Sequence, residues 1–258
     1  MKLTKKFPLL SLSIVLSLLF AGCTPKIKFP VELSVVAKEG GREQSDVEFR
    51  SVNKVYKDGE IDTESHSSVA FSVSTEILAV KPDGKIVMLQ STTKKDGMFD
   101  LNRLGLPEVG EEIKIEIDKF GHILDVTGYP PDSLFYLPSL VFPAKRLSPG
   151  DEWKESFKWR DFAIPFPLIT EINFKLVGAK RYKRFRVLRI DISASTRFAD
   201  ENKDVVYEGR SKGYLLWDPK NYLLRYAESH LSDTLQVPAK GFKSVSESDF
   251  VSKLKKSS

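Results

Sequence analysis

The sequence predicts an all-β protein: antiparallel meanders forming a curved sheet, a half-barrel or two packed sheets. Three observations carry this. Apolar residues recur at period two, as in Val69, Phe71, Val73, Ile77 and Ala79, with Ser68, Ser72, Ser74 and Glu76 on the other parity. One apolar and one polar face is the pattern of a half-buried antiparallel strand. Turn signals separate these runs: Pro82-Asp83-Gly84, Phe120-Gly121 and Asp218-Pro219-Lys220-Asn221. Proline fixes φ, and glycine tolerates φ > 0. Finally, the turns near 83 and 120 lie 37 residues apart and those near 181 and 219 lie 38 apart, the regular spacing of an all-β chain.

The first element is a leader. Met1 to Lys6 carries Lys2, Lys5 and Lys6 and no acid, and Phe7 to Phe20 is an uncharged run of 14 residues. A basic start, a short apolar core and a small-residue site make a secretory signal. A spanning helix needs about 20 residues, so the run is too short to cross a bilayer. Leu18-Leu19-Phe20-Ala21-Gly22-Cys23 closes the leader and contains the only cysteine. The segment resembles a bacterial lipoprotein signal with its lipobox. The resemblance implies cleavage of residues 1–22 before Cys23, diacylglycerylation of that thiol, acylation of the freed amine by a chain such as palmitate, and a membrane location. Phe20 stands where the family prefers Leu. Thr24 is not Asp, which by resemblance to enterobacterial sorting implies the periplasmic face of the outer membrane.

Residues 23–30 read as a lipidated tether. Seven residues from Thr24 to Pro30 span at most about 25 Å. Residues 31–128 read as a first β-meander half. Val31 to Val35 and Asp46 to Tyr56 read as a hairpin around Lys38-Glu39-Gly40-Gly41. Strands follow at 69–79, Ile86 to Thr92, Ile113 to Ile117 and Ile123 to Val126. Residues 129–167 form an apolar, proline-rich connector with Leu134-Phe135-Tyr136-Leu137, Leu140-Val141-Phe142 and Phe162-Ala163-Ile164-Pro165-Phe166. Asp132-Ser133 could cap one helical turn that Pro138 would stop. Residues 168–237 repeat the meander, with strands at 168–176, 185–196, 205–216 and 222–231. Residues 238–258 read as a frayed polar tail with one weak helix at 247–256.

Corresponding turns of the two halves are offset by 98 and 99 residues. This fits an internal duplication, and equally the regular turn spacing of any all-β chain. The strings IDKFGHILDVTGYP, FPAKRLSPGDEW and LLWDPKNYLLRYAES together resemble bacterial exported proteins built of repeated β-meanders. A looser similarity is to half-barrel carriers of the lipoprotein-sorting pathway, which implies a concave sheet that takes up acyl chains.

Composition excludes several functions. The formal charge of +5 includes the three leader lysines, so the mature 236 residues carry +2. A nucleic-acid binder would show a concentrated basic face. His66, His122 and His230 are far apart in sequence and without metal-ligand spacing, and a single, acylated cysteine offers no zinc site. No GxSxG elbow or phosphate loop occurs. The reading is a non-enzymatic lipoprotein with no cofactor, no metal and no nucleic-acid partner, binding a hydrophobic ligand or an envelope protein. An alternative is a structural or assembly lipoprotein acting through sheet edges or a basic hairpin, and a spatially assembled enzyme site comes third.

Two sets of residues are candidates for contact. Leu134, Phe135, Tyr136, Leu140, Phe142, Phe162, Ile164 and Phe166 either line a groove for a hydrophobic ligand or pack the two halves together. Lys180, Arg181, Lys183, Arg184 and Arg186 either meet an anionic surface or form a solvated hairpin tip whose charges guard an edge.

Overall fold

The computed structural model describes residues 27–161, 164, 166–200 and 204–258. Cys23, the leader and Phe162 lie outside them. Eleven strands form one open, curved antiparallel sheet: β1 (Arg42–Lys57), β2 (Glu60–Val80), β3 (Ile86–Asp96), β4 (Glu112–Ile117), β5 (Ile123–Val126), β6 (Glu152–Trp159), β7 (Leu168–Tyr182), β8 (Phe185–Phe198), β9 (Val206–Asp218), β10 (Leu223–Val237) and β11 (Phe242–Ser257). The spatial order is β5-β4-β3-β2-β1-β11-β10-β9-β8-β7-β6. The chain therefore starts in the middle and walks to one edge. It then crosses to the other edge through residues 127–151 and walks back, until β11 pairs with β1 from Glu43↔Ser257 to Lys57↔Phe242.

The period-two pattern decides which face is covered. In β7, Leu168, Thr170, Ile172, Phe174 and Leu176 are buried, while Glu171 and Lys175 are exposed. Most of the buried side chains look toward the segments that cross the sheet. Phe142 and Leu147 of the crossing segment, with Leu33, pack on Trp153, Phe174, Leu188, Ile190, Leu215 and Trp217. Phe135 packs on Ile86, Ile113, Ile115 and Ile117. A 3₁₀ turn at Leu101–Leu104 lays Leu101 on Val47, Phe49, Val69 and Phe71.

Four elements differ from the sequence expectation. Val31 to Val35 is not half of a hairpin. It crosses the covered face, with Val31 N–H donating to the Leu147 carbonyl (2.8 Å) and Val35 N–H to that of Lys119 (2.8 Å). Both flanks of β1 are already taken by β2 and β11. The tether is shorter than expected, because Ile27 and Phe29 pack on the core. The connector ends at β6, whose alternation Trp153, Glu155, Phe157, Trp159 points the tryptophans inward.

The fourth difference is the C-terminal segment, which is neither a frayed tail nor helical. It is β11, with Phe250 facing the core and Ser244, Ser246, Ser248 and Ser252 on that side. Ser248 Oγ donates to Ser51 Oγ (2.9 Å) and Ser244 Oγ to Asn53 Oδ1 (2.9 Å). The strand is fixed by partners nearly 200 residues away, whereas local propensity alone is weak there.

Candidate functional site

The seven described connector residues, Phe162 lying outside them, do not converge on one groove. Phe135 is 4% exposed and packs on Tyr129 with the rings tilted by 32° and their centroids 3.8 Å apart. Phe142 is 1% exposed and meets Trp217 edge-on at 5.0 Å. Both are core residues. Tyr136 turns its hydroxyl to the edge, accepting from Val126 N–H at 2.9 Å. Leu140 is half-buried against the Phe142 cluster. Leu134, Ile164 and Phe166 meet a different cluster, built on Trp159, Leu168 and Phe198, in which Phe166 packs on Phe198 at 5.4 Å. The proline-rich connector thus spreads its apolar groups over three clusters as the layer that completes the core.

The histidines form clamps with carboxylates. Arg50, Asp249, His230 and Lys212 stand side by side across β1, β11, β10 and β9 on the uncovered face. They line a depression of about 400 Å³ with Glu48, Tyr214 and Glu228. His230 holds Asp249 through Nδ1 (2.9 Å) and Glu247 through Nε2 (2.9 Å). The Asp249 hydrogen bond, with help from Glu247, raises its pKa. An imidazolium with both N–H groups engaged has no free nitrogen to act as a base. His122 sits between Asp118 (2.8 Å) and Glu155 (3.7 Å), and His66 lies 3.1 Å from Glu64. Among the described residues no group of three or more His, Cys, Asp or Glu side chains could hold a metal.

A half-buried pair lies on the covered side. Tyr207 donates to Asp233 Oδ1 at 2.9 Å. Burial, then the Asp233 charge, pushes the Tyr207 phenol up, and burial raises the Asp233 carboxyl although the Tyr207 hydrogen bond opposes it. Gly209 leaves the room this pair needs, since a Cβ there would lie 2.5 Å from Asp233 Oδ1.

The basic hairpin is the most distinctive surface. Tyr182 and Phe185 close a two-residue turn at Lys183-Arg184, with Lys183 at φ 51°. Arg181 donates to the Lys183 carbonyl (3.1 Å). Tyr182, Phe185, Tyr214 and Tyr226 cover the uncovered face here, and Val187 and Leu216 lie fully buried on the same parity. Cations lie over these rings: Lys180 over Tyr214 (5.6 Å), Arg184 over Phe185 (5.2 Å), Arg189 over Tyr214 (4.6 Å) and Arg225 over Phe185 (3.8 Å). Arg189 and Arg225 have carboxylate partners, Asp191 (2.6 Å) and Asp218 (2.8 Å). Among the described residues, none of Lys180, Arg181, Lys183, Arg184 and Arg186 forms an ion pair. The sequence places these five charges together. That they stand uncompensated beside an aromatic patch emerges only from strand register.

No protein-family model matches the chain, and no curated protein matches it. Solved structures overlap it at low identity. A structure of lipovitellin concerned with lipid–protein interactions covers 86% of this chain at 10% identity and TM-score 0.44. The chain spans about a quarter, 26%, of that protein. A protein from Bacteroides fragilis described as exported, with a YmcC-like fold, covers 88% of this chain and is itself wholly covered, at 8% identity and TM-score 0.32. A protein from Parabacteroides distasonis described as a lipoprotein covers 88%, again over its whole length, at 12% identity and TM-score 0.39. At these scores the overlaps carry no functional argument.

Proposed function

We propose that this chain is a membrane-anchored envelope lipoprotein without enzymatic activity, which holds an envelope partner against the uncovered face of its sheet. The observation that carries the reading is the lipobox, Leu18 to Cys23, set four residues before the chain docks at Ile27. One acyl chain binds a membrane only marginally, and two or three make attachment stable. Thr24 supports the periplasmic face of the outer membrane as its location. The engagement of both His230 ring nitrogens by Glu247 and Asp249 supports a non-catalytic role for that depression.

The test is metabolic labelling with palmitate followed by mass spectrometry of the N-terminal peptide. Acyl mass on Cys23 is expected, and its absence overturns the anchor. For the partner, whole-cell cross-linking from Lys212, exposed in the depression on the uncovered face, is expected to capture one envelope protein. Background-level capture removes that half of the reading.

A second reading keeps a hydrophobic ligand. It is favoured by the cluster of Trp159, Leu168 and Phe198, where only those three are buried and Leu134, Ile164, Phe166 and Leu235 around them are partly exposed. Native mass spectrometry of the purified domain tests it. A co-purifying lipid supports carriage, and an empty domain after extraction removes it.

A further inference from the structure

We infer that the end of the sheet bearing the β7–β8 hairpin is a second membrane contact, which rests on anionic lipid head groups and stands the sheet upright on the bilayer. The inference deepens the proposed function and rests on lipidation of Cys23. It follows from where the anchor enters, how charge is distributed and what the tip is made of.

The anchor enters at this end. Four residues separate Cys23 from Ile27, a reach of about 14 Å at full extension. Ile27 and Phe29 pack on the cluster of Trp153, Phe174 and Leu176. Val31 then pairs with Leu147 in both directions, at 2.8 and 2.7 Å. Two residues on, Pro149 abuts Gly178, where an added Cβ would lie 3.8 Å away. Gly178 is two residues from Lys180. A short continuous path of backbone and packing therefore links the lipid to the basic hairpin.

Charge is segregated along the strands. The turns at this end (81–85, 118–122, 143–151, 180–186 and 218–222) and the last six residues carry 14 Lys and Arg against four Asp. The opposite end of the central hairpin, residues 57–64, carries one Lys against four acids. A formal charge of +2 for the mature chain conceals this dipole. Other cations toward this end are held by carboxylates of neighbouring strands, as in Lys81–Glu116 (2.6 Å), Lys175–Glu152 (2.8 Å) and Arg42–Glu76 (2.9 Å). The hairpin's five are not, so their field is free to act on an external anion within a Debye length.

The tip also has the chemistry of an interface. Tyr182 and Phe185 flank the turn, and Tyr222 on the neighbouring turn is 39% exposed. Aromatic rings with a polar rim, set among Lys and Arg, suit the head-group layer. A solvated hairpin needs only charge to stay unpaired. It does not need rings beneath the charge.

The test uses the acylated full chain in vesicles of phosphatidylglycerol and phosphatidylethanolamine, with a single environment-sensitive dye. Because Cys23 is blocked, Ala179→Cys at the tip or Lys240→Cys at the far end provides the only free thiol. Head-group nitroxide lipid is expected to quench the dye at 179 and not at 240. Reversing Lys180, Arg181, Lys183 and Arg184 to Glu is expected to abolish that difference while the protein stays vesicle-bound through its acyl chains. Equal quenching at both sites, or a difference unaffected by reversal, overturns the inference and leaves the anchor standing.

A second arm is independent of the anchor. The chain without residues 1–23 keeps every contact described above. It is expected to bind these vesicles and not phosphatidylcholine ones, losing roughly five-fold in affinity per reversed residue. Binding indifferent to lipid charge overturns the inference. Protein that washes off vesicles in the first arm yet still discriminates in the second tells against lipidation alone.

Discussion

Arg225 lays its guanidinium on Asp218, with Nε at 3.0 Å and Nη2 at 2.8 Å from the same carboxylate oxygen, and both side chains are nearly out of solvent. Asp218 also accepts from the backbone N–H groups of Lys220 and Asn221 and from Asn221 Nδ2. One carboxylate therefore shapes the β9–β10 turn and fixes the arginine that covers Phe185. Burial alone would raise its pKa, but hydrogen bonds from Asn221 and Arg225 more than offset this and hold it below the usual carboxylate range.

Asp218→Ala leaves Arg225 buried without its charge partner. Breaking such a pair costs about 3–5 kcal/mol. Urea unfolding at neutral pH is expected to show that loss. Because the folded-state pKa is depressed, the stabilisation is complete above the unfolded carboxylate pKa and disappears as pH falls through the folded value. The variant's stability should therefore be flatter than the wild type's on the acid side.

Phe142→Ala tests whether the connector is core or ligand lining. A fully buried Phe lost from a packed cluster costs about 3–5 kcal/mol. The expected result is a large drop in melting temperature with no change in co-purifying lipid. A melting temperature within a degree of wild type would mean that Phe142 is not a core residue.

His230 titrates on an exposed face, so its clamp contributes little. His230→Ala should cost no more than about 1 kcal/mol. Its ring resonances should titrate above the ordinary histidine value. The raised pKa makes the clamp's contribution complete below the unfolded pKa, and it is lost as pH rises through the folded one. A midpoint below that of a free histidine in the NMR titration would show that the carboxylates are not held against the ring.

Deleting residues 242–258 removes β11 and leaves β1 and β10 with open edges at the centre of the sheet. The expected outcome is loss of a single cooperative unfolding transition in calorimetry. A truncated chain that still melts in one step at the wild-type temperature would show that the two meanders hold without their seam.

The meanders were legible because alternation and turn chemistry are local. Leu168 to Leu176 shows its buried parity in the sequence, and Pro82-Asp83-Gly84 and Asp218 to Asn221 mark turns through their own side chains. β11 was not legible, because serines occupy its inward positions and their partners, Ser51 and Asn53, sit on β1. β6 carried its signal in Trp153, Phe157 and Trp159, but lysines and glutamates between them resembled loop composition. The basic hairpin was visible as a run of charges. Its neighbours Tyr214, Tyr226 and Arg225 were not, since register across β7 to β10 brings them there.

The pairing of β1 with β11 sets an order of events. The sixteen-residue strand that begins the sheet waits for the last residues of the chain before its second flank is filled. Loop-closure entropy makes so distant a contact late to form. A polypeptide emerging N-terminus first from a narrow pore would carry half a sheet until its final strand arrived. Residues 242–257 therefore act as a latch: the sheet closes at its centre only when β11 enters between β1 and β10.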